Sequence, residues 1–136
     1  MAERNKRYQL GNYIQDWRKN VATIKEIDQK GIMALYAEDV SHYLEWHDFS
    51  PLEIKVDLLE QMGFAIVKKK QNMYHQDISM AINLNGKFYN TRGIIYEDKN
   101  IWTFQGITVL YVHQIQNIIS IIEPKAYPTI KCDLPI

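Results

Sequence analysis

The densest group of side chains that could bind a metal ion lies between residues 42 and 48. Two histidines and two carboxylates, His42, Glu45, His47 and Asp48, fall within this segment. Imidazole nitrogens and carboxylate oxygens are common zinc ligands. The spacing is poor, because the two histidines would point to opposite faces of a strand and would lie well apart on a helix. We therefore interpret the segment as a half-buried aromatic strand or loop, and we predict neither a bound metal nor a cofactor.

His113 is the residue that could act as a general base. In a helix it would share one face with Gln116, Asn117 and Ser120. A neutral imidazole can accept a proton near pH 7, but amide side chains are better suited to hydrogen bonding between elements. We favour a structural role for this face and predict no catalytic residue, and we keep a contact with a partner or a small ligand as the alternative. The residues singled out for that contact are His113, Gln116, Asn117, Tyr111 and Trp46.

Two basic clusters suggest nucleic-acid binding as an alternative function. One is the run Lys68, Lys69 and Lys70, and the other combines Arg4, Lys6 and Arg7. Together with exposed aromatic residues, such clusters can contact phosphates and bases. The whole chain, however, has 16 basic and 16 acidic residues, which argues against a protein that mainly grips a nucleic-acid backbone. Most lysine runs are solvated loops or keep strand edges from pairing.

The motifs of common enzyme classes are absent from the sequence. It contains neither a glycine-rich phosphate loop nor the glycine-flanked serine of α/β-hydrolases. Cys132 is the only cysteine, which excludes an internal disulfide and a cysteine-rich zinc site. The amino terminus lacks the apolar core of a signal peptide, and no apolar segment is long enough to span a bilayer. We therefore expect a protein of a reducing cytoplasm with no membrane partner.

A stretch of fourteen residues without charge, proline or glycine, 109–122, predicts the main helix. Thr108 is the expected N-cap and Pro124 the expected stop. Its apolar arc, which includes Ile115, Ile119 and Ile122, predicts almost complete burial against a sheet. Its polar face carries no charge, so we expect that face to be covered as well.

The first fifty residues predict a small, curled, SH3-like β unit. Segments 21–27 and 32–37 read as strands on either side of a four-residue loop that ends in Gly31. After Pro51, residues 55–62 predict a short helix that ends at Gly63. Because Lys55 is a poor N-cap, its first turn is expected to shift by a residue or two.

An antiparallel meander is predicted between the two helices. Residues 64–67 read as a strand and 68–72 as a charged loop, and Asn85-Gly86 is a strong hairpin signal after the alternating segment 78–84. The predicted class is therefore α+β. The predicted organisation is a β unit over 1–50, a helix–meander–helix unit over 51–124 and an extended tail over 125–136.

Three segments form a recurring pattern, RYQLGNYI near the start, DLLEQMGF in the middle and YVHQIQNI near the end. With this order and spacing, the chain resembles a family of small, uncharacterised proteins carried by phages and prophages of Bacteroidetes bacteria. Ile115 replaces a usual leucine, and the sequence after Ile122 departs from the family pattern. The resemblance implies phage origin and action inside a bacterial cell, and it implies no reaction. We expect a non-enzymatic accessory protein that binds a host or phage protein or assembles with itself, with a nucleic-acid-binding module as the first alternative. The second alternative is a ligand-binding protein or enzyme centred on His113.

Overall fold

The structure, a computed structural model, describes residues 8–125. It has an α+β fold with two helices and two five-stranded antiparallel sheets, which confirms the predicted class. The predicted amino-terminal arm, the tail from residue 126 onward, and the residues Arg4, Lys6, Arg7 and Cys132 lie outside the described residues.

The chain forms two compact units, and neither is continuous in sequence. Among the described residues, the first unit contains 8–53 and 111–117, and the second contains 54–110 and 118–125. These units differ from the linear segments 1–50 and 51–124 expected from the sequence, because residues 111–117 group with the first sheet.

The first unit is a meander whose last strand returns to pair with its first. Its five antiparallel strands follow the spatial order β4-β3-β2-β1-β5. The strands are β1 (Tyr13–Asp16), β2 (Val21–Ile27), β3 (Gly31–Leu35), β4 (Ser41–Glu45) and β5 (Phe49–Pro51). Alternating residues of these strands point inward and form one apolar core. Its buried members are Ile14, Ala22, Ile24, Ile32, Ala34, Leu44 and Phe49.

The turns of the first unit follow from its sequence. Asp28 accepts hydrogen bonds from the backbone N–H groups of Lys30 and Gly31 at 2.8 and 2.9 Å, which closes the predicted loop between β2 and β3. The segment 42–48, for which the sequence allowed either a strand or a loop, contains both. It forms β4 and then a 3₁₀ turn over Trp46–Asp48.

The second unit combines a meander with helical segments. Its strands follow the sequential order β10-β9-β8-β7-β6. The elements are helix α1 (Val56–Met62), β6 (Ala65–Gln71), β7 (His75–Leu84), β8 (Lys87–Tyr96), β9 (Asn100–Phe104) and β10 (Ile107–Val109), and helix α2 (Val112–Ile122) begins in the first unit. Helix α1 starts one residue later than predicted, where Lys55 makes no side-chain cap, and it ends at Gly63 with φ of 111°.

A glycine inside β8 allows the sheet to pack closely. Gly93 lies opposite Trp102 of β9. A Cβ atom on Gly93 would come within 2.5 Å of the indole ring, so a larger residue would clash with it. The buried Trp102 ring therefore covers the glycine and keeps β8 continuous across a position that would otherwise weaken a strand.

Two boundaries predicted from the sequence are wrong. Residues 68–71 of the predicted loop belong to strand β6, because this edge strand is solvated and tolerates charge on both faces. Thr108 is not an N-cap. Gln105 and Gly106 have φ of 50° and 80°, which makes a tight turn into β10 and delays the helix to Val112.

The burial predicted for the main helix is confirmed for most of its length. Ile115 and Ile119 are fully buried. The expectation for Ile122 is wrong, because this residue lies in the last turn and is 40% exposed.

Candidate functional site

The first turn of α2 is anchored by two hydrogen bonds within the first unit. The Val112 N–H donates to the Leu52 carbonyl at 2.9 Å. The Gln114 side chain accepts from the Tyr111 N–H at 3.0 Å, which is half of a capping box. The residue that caps this helix is therefore a glutamine in its first turn and not the threonine expected from the sequence.

Amide side chains on the polar face of α2 bind the segment that enters β1. Gln116 accepts from the Tyr13 N–H at 2.9 Å and donates to the Gly11 carbonyl at 3.1 Å. Asn117 accepts from the Asn12 side chain at 2.8 Å. Gln116 is 2% exposed and Asn12 is fully buried. These bonds satisfy polar groups that would otherwise be buried at a cost. We call Asn12, His113, Gln116 and Asn117 the amide clasp.

His113 is fully buried beside aromatic rings. Its ring centroid lies 4.7 Å from that of Tyr8 and 5.8 Å from that of Tyr111. Tyr8 also packs against Trp46, whose indole N–H donates to the Gln29 carbonyl at 2.8 Å. The prediction that His113 is inaccessible is confirmed. Of the residues singled out for a contact, His113 and Gln116 are buried in the first unit, while Tyr111, Trp46 and Asn117 are half-buried.

The cluster considered for metal binding does not converge on one point. His42 lies on β4, and its ring packs edge-on against Tyr36 at 5.7 Å. His47 lies in the 3₁₀ turn, with its Nε2 3.3 Å from Oδ1 of Asp48 and its Nδ1 3.7 Å from Oε2 of Glu45. Asp48 and Glu45 form a capping box that fixes this turn. Within residues 8–125, no group of three or more potential ligands could hold a metal ion.

The three successive lysines lie on the edge strand β6. Among the described residues, β6 pairs only with β7, and all seven of its residues are exposed. The register places Lys68 opposite Ser79, Lys69 opposite Ile78 and Lys70 opposite Asp77. Because side chains alternate along a strand, Lys68 and Lys70 share one face of the sheet and Lys69 lies on the other.

Two exposed apolar residues in the turn of the β6–β7 hairpin were not singled out in the sequence. Met73 and Tyr74 are 85% and 75% exposed. Asn72 shapes the turn, because its side chain accepts from the N–H groups of Tyr74 and His75 at 2.8 and 3.0 Å. The signal that could have found this site is a pair of large apolar residues directly after an asparagine that forms a turn. We call Met73 and Tyr74 the hairpin patch.

Two exposed contacts perturb carboxyl groups. Arg92 donates to Asp77 through Nη2 at 2.6 Å and Nε at 3.0 Å, and this bidentate contact holds the pKa of Asp77 below its ordinary value. The Tyr43 hydroxyl donates to Asp28 at 2.7 Å. This bond lowers the pKa of Asp28, while burial, followed by the same bond, raises the pKa of Tyr43 to about 12.

Two shallow depressions lie on the sheet surfaces, one in each unit, and neither contains His113. The depression on the second sheet has a volume of about 500 Å³ and includes Arg92, which is already paired with Asp77. The depression on the first sheet has a volume of about 590 Å³ and includes Asp28 and Tyr43, which are bonded to each other. Arg92 in one depression and Asp28 in the other are thus engaged in internal contacts.

The chain was compared with models of known protein families, with curated proteins and with solved structures, and none of the three comparisons found a match. In the described part of the chain, no helix is long and apolar enough to cross a lipid bilayer.

Proposed function

We propose that this chain is a non-enzymatic phage accessory protein that acts in the bacterial cytoplasm by binding a host or phage protein. The β6–β7 hairpin makes the contact. The observation that carries this proposal is the hairpin patch, in which Met73 and Tyr74 are 85% and 75% exposed. Methionine and tyrosine are enriched at protein interfaces. Exposed apolar groups that are adjacent in a structure mark interaction sites more often than scattered ones do.

Burial of the amide clasp supports a non-enzymatic role. His113 is fully buried, and Gln116 uses its amide for two bonds to the first unit's backbone. A general base must come within hydrogen-bond reach of its substrate. Substrate access to His113 would require the first unit to open, whereas the hairpin patch is accessible as it stands.

The phage origin is supported by the three sequence motifs. The SH3-like character of the first unit is supported by its connectivity, since its last strand pairs with its first and a 3₁₀ turn precedes that strand. The helix–meander–helix proposal for the second part is supported by five sequential antiparallel strands between α1 and α2. These features describe a scaffold, and the function depends on what its surfaces bind.

Self-assembly is the alternative within the same class of function. Two copies that pair antiparallel through β6 would bring lysines opposite lysines, and like charges directly opposite each other destabilise a sheet. We therefore favour a different protein as the partner. Sedimentation at increasing protein concentration distinguishes the two, since self-assembly through the hairpin predicts a dimer that is lost when Tyr74 is replaced by Ser.

Nucleic-acid binding is the second candidate function, and the exposure of Lys68, Lys69 and Lys70 on one strand favours it. Binding through phosphates would fall steeply with salt. A gel-shift titration with single-stranded and double-stranded DNA and RNA at two salt concentrations tests it. Loss of a salt-dependent shift on changing all three lysines to Gln would support this candidate over the first.

The main proposal is tested by capture from phage-infected bacterial cells with the tagged chain as bait. The test variant is Met73→Ser with Tyr74→Ser, and the control is Phe88→Ser. Phe88 is a suitable control because it is 68% exposed but lies in the β7–β8 hairpin. We expect the wild type and the control to retain one specific protein and the test variant to lose it. Retention of that protein by the test variant, or no specific protein in any lane, contradicts the proposal.

A further inference from the structure

We propose that the outer edge of β6 accepts an extended, acidic segment of the protein partner as a sixth strand of the second sheet. This inference rests on the proposed protein-binding function and adds the chemistry of the partner. Strand β6 is seven residues long, lies at the end of the strand order β10-β9-β8-β7-β6 and is exposed throughout. A strand edge of this kind presents backbone N–H and C=O groups that another strand can bind.

The ladder between β6 and β7 indicates which backbone groups face outward. The Asn72 N–H donates to the His75 carbonyl at 3.1 Å across the turn. Residues of an antiparallel pair alternate between positions that bond to the neighbour and positions that do not. Counting back from Asn72, Lys70 bonds toward β7, while Lys69 and Gln71 turn their N–H and C=O groups to the outer edge. An added strand would bond to Lys69 and Gln71.

The charge of β6 selects the partner. Lys68, Lys69 and Lys70 are exposed, and among the described residues no carboxylate lies within ion-pair distance of their ammonium groups. Asp77, which lies opposite Lys70, is already bound bidentately by Arg92. Three adjacent positive charges, divided between the two faces of the sheet, disfavour pairing with a second copy and favour a strand with consecutive acidic residues. The lysines thus repel a second copy of β6 and attract a strand with consecutive acidic residues.

Apolar groups at both ends of the lysine run can anchor the added segment. Ile66 and Val67 are 41% and 68% exposed before the run, and Met73 and Tyr74 follow it. Main-chain hydrogen bonds would supply part of the affinity, while the charges and the flanking apolar contacts would supply specificity. We therefore expect the partner segment to have acidic residues at its centre and apolar residues on either side.

The probe for this inference is a short capped peptide with three consecutive glutamates flanked by valine and threonine. Its control has the same sequence with alternate backbone nitrogens methylated, which retains the charge and removes hydrogen-bond donors. Binding is followed by backbone amide NMR of the full chain. We expect the first peptide to bind in low salt, with slower hydrogen exchange at Lys69 and Gln71 and no change at Lys70. The methylated control should bind about tenfold more weakly.

Two variants of the chain separate strand addition from simple charge attraction. Gln71→Pro removes an outward N–H and leaves all three lysines in place, and Gln71→Ala is the matched control. We expect Gln71→Pro to weaken peptide binding about fivefold to tenfold and Gln71→Ala to leave it within about twofold. If the methylated peptide binds as well as the first, the contact is electrostatic and the inference is overturned, whether or not Gln71→Pro folds.

Other outcomes also decide the inference. Failure of the acidic peptide to bind, or stronger binding by a single-stranded oligonucleotide at the same amides, overturns it. The protein-binding function would survive that failure if cellular capture still depended on Met73 and Tyr74. Loss of dependence on those two residues would overturn the function even if the peptide bound to β6.

Discussion

The amide clasp and the hairpin patch reverse the usual distribution of residues in a protein. In the clasp, polar side chains are buried, with His113 and Asn12 fully enclosed and Gln116 2% exposed. In the patch, Met73 and Tyr74 are among the most exposed large hydrophobic residues of the described chain. A buried polar group or an exposed apolar patch is more informative than the common opposite. Each therefore requires its own explanation.

Partners within the chain explain the first region and not the second. Each amide of the clasp meets a backbone or side-chain group at hydrogen-bond distance, so its burial is compensated. The methionine and tyrosine of the patch gain no comparable burial from the described residues. The amide clasp, whose residues on α2 the sequence analysis singled out, thus stabilises the fold. The hairpin patch, which the sequence analysis did not single out, is the better candidate for a partner contact.

The largest effect is expected from placing a charge on the buried side of α2. Ile119 is fully buried, so Ile119→Asp should bury an unpaired carboxylate and unfold the protein. The matched control is Val67→Asp on strand β6, where Val67 is 68% exposed, and it should leave the melting temperature almost unchanged. Thermal denaturation followed by circular dichroism measures both. Equal melting of Ile119→Asp and wild type would show that α2 is peripheral.

A smaller effect is expected from removing the amide of Gln116. Gln116→Met retains the length of the side chain but leaves the Tyr13 N–H and the Gly11 carbonyl without their partner. Loss of a partner from a buried polar group costs about 1–3 kcal/mol. Chemical denaturation should therefore show a lower free energy of unfolding, whereas capture of the cellular partner should persist once folded protein is used. Unchanged stability together with lost capture would reassign the clasp as a binding site.

The smallest effect is expected at the ion pair of the second sheet. Arg92 lowers the pKa of Asp77 in the folded protein, so the pair stabilises the fold above the ordinary aspartate pKa, and this stabilisation is lost as pH falls through the lowered value. Arg92→Met should raise the pKa of Asp77 toward its ordinary value and remove that acid dependence. Carboxyl NMR titration measures the pKa directly. A pKa of Asp77 that stays low in this variant would assign the shift to another cause.

Local signals predicted many of the elements correctly. Asn85 and Gly86 have φ of 54° and 83°, as a tight hairpin turn requires, and β7 and β8 pair across them. The lack of charge on the polar face of α2 correctly predicted the burial of His113 and Gln116, while Asn117 and Ser120 are half-buried. Both inferences depend on residues that are close in sequence. They also depend on residue types with strong structural preferences, Asn-Gly in a tight turn and uncharged polar residues on a covered helix face.

The remaining features depend on partners that are distant in sequence. The backbone groups that Gln116 binds lie more than 100 residues earlier in the chain, so no local pattern identifies them. The lysines of β6 resemble a loop because an edge strand that is exposed on both faces lacks alternation. Gln105 has a positive φ, which glutamine rarely adopts, so the sequence did not indicate a turn at this position. Strand β10 was therefore not predicted, and the predicted start of α2 was too early.

Photocrosslinking tests the contrast between the two regions most directly. A benzophenone amino acid replaces Tyr74 in one variant and Phe88 in a control, and each is expressed in infected host cells and irradiated. We predict a covalent adduct with a second protein from position 74 and none from position 88. An adduct from position 88 alone, an adduct between two copies of this chain at position 74, or no adduct at position 74 would contradict the assignment of the hairpin patch as the partner contact.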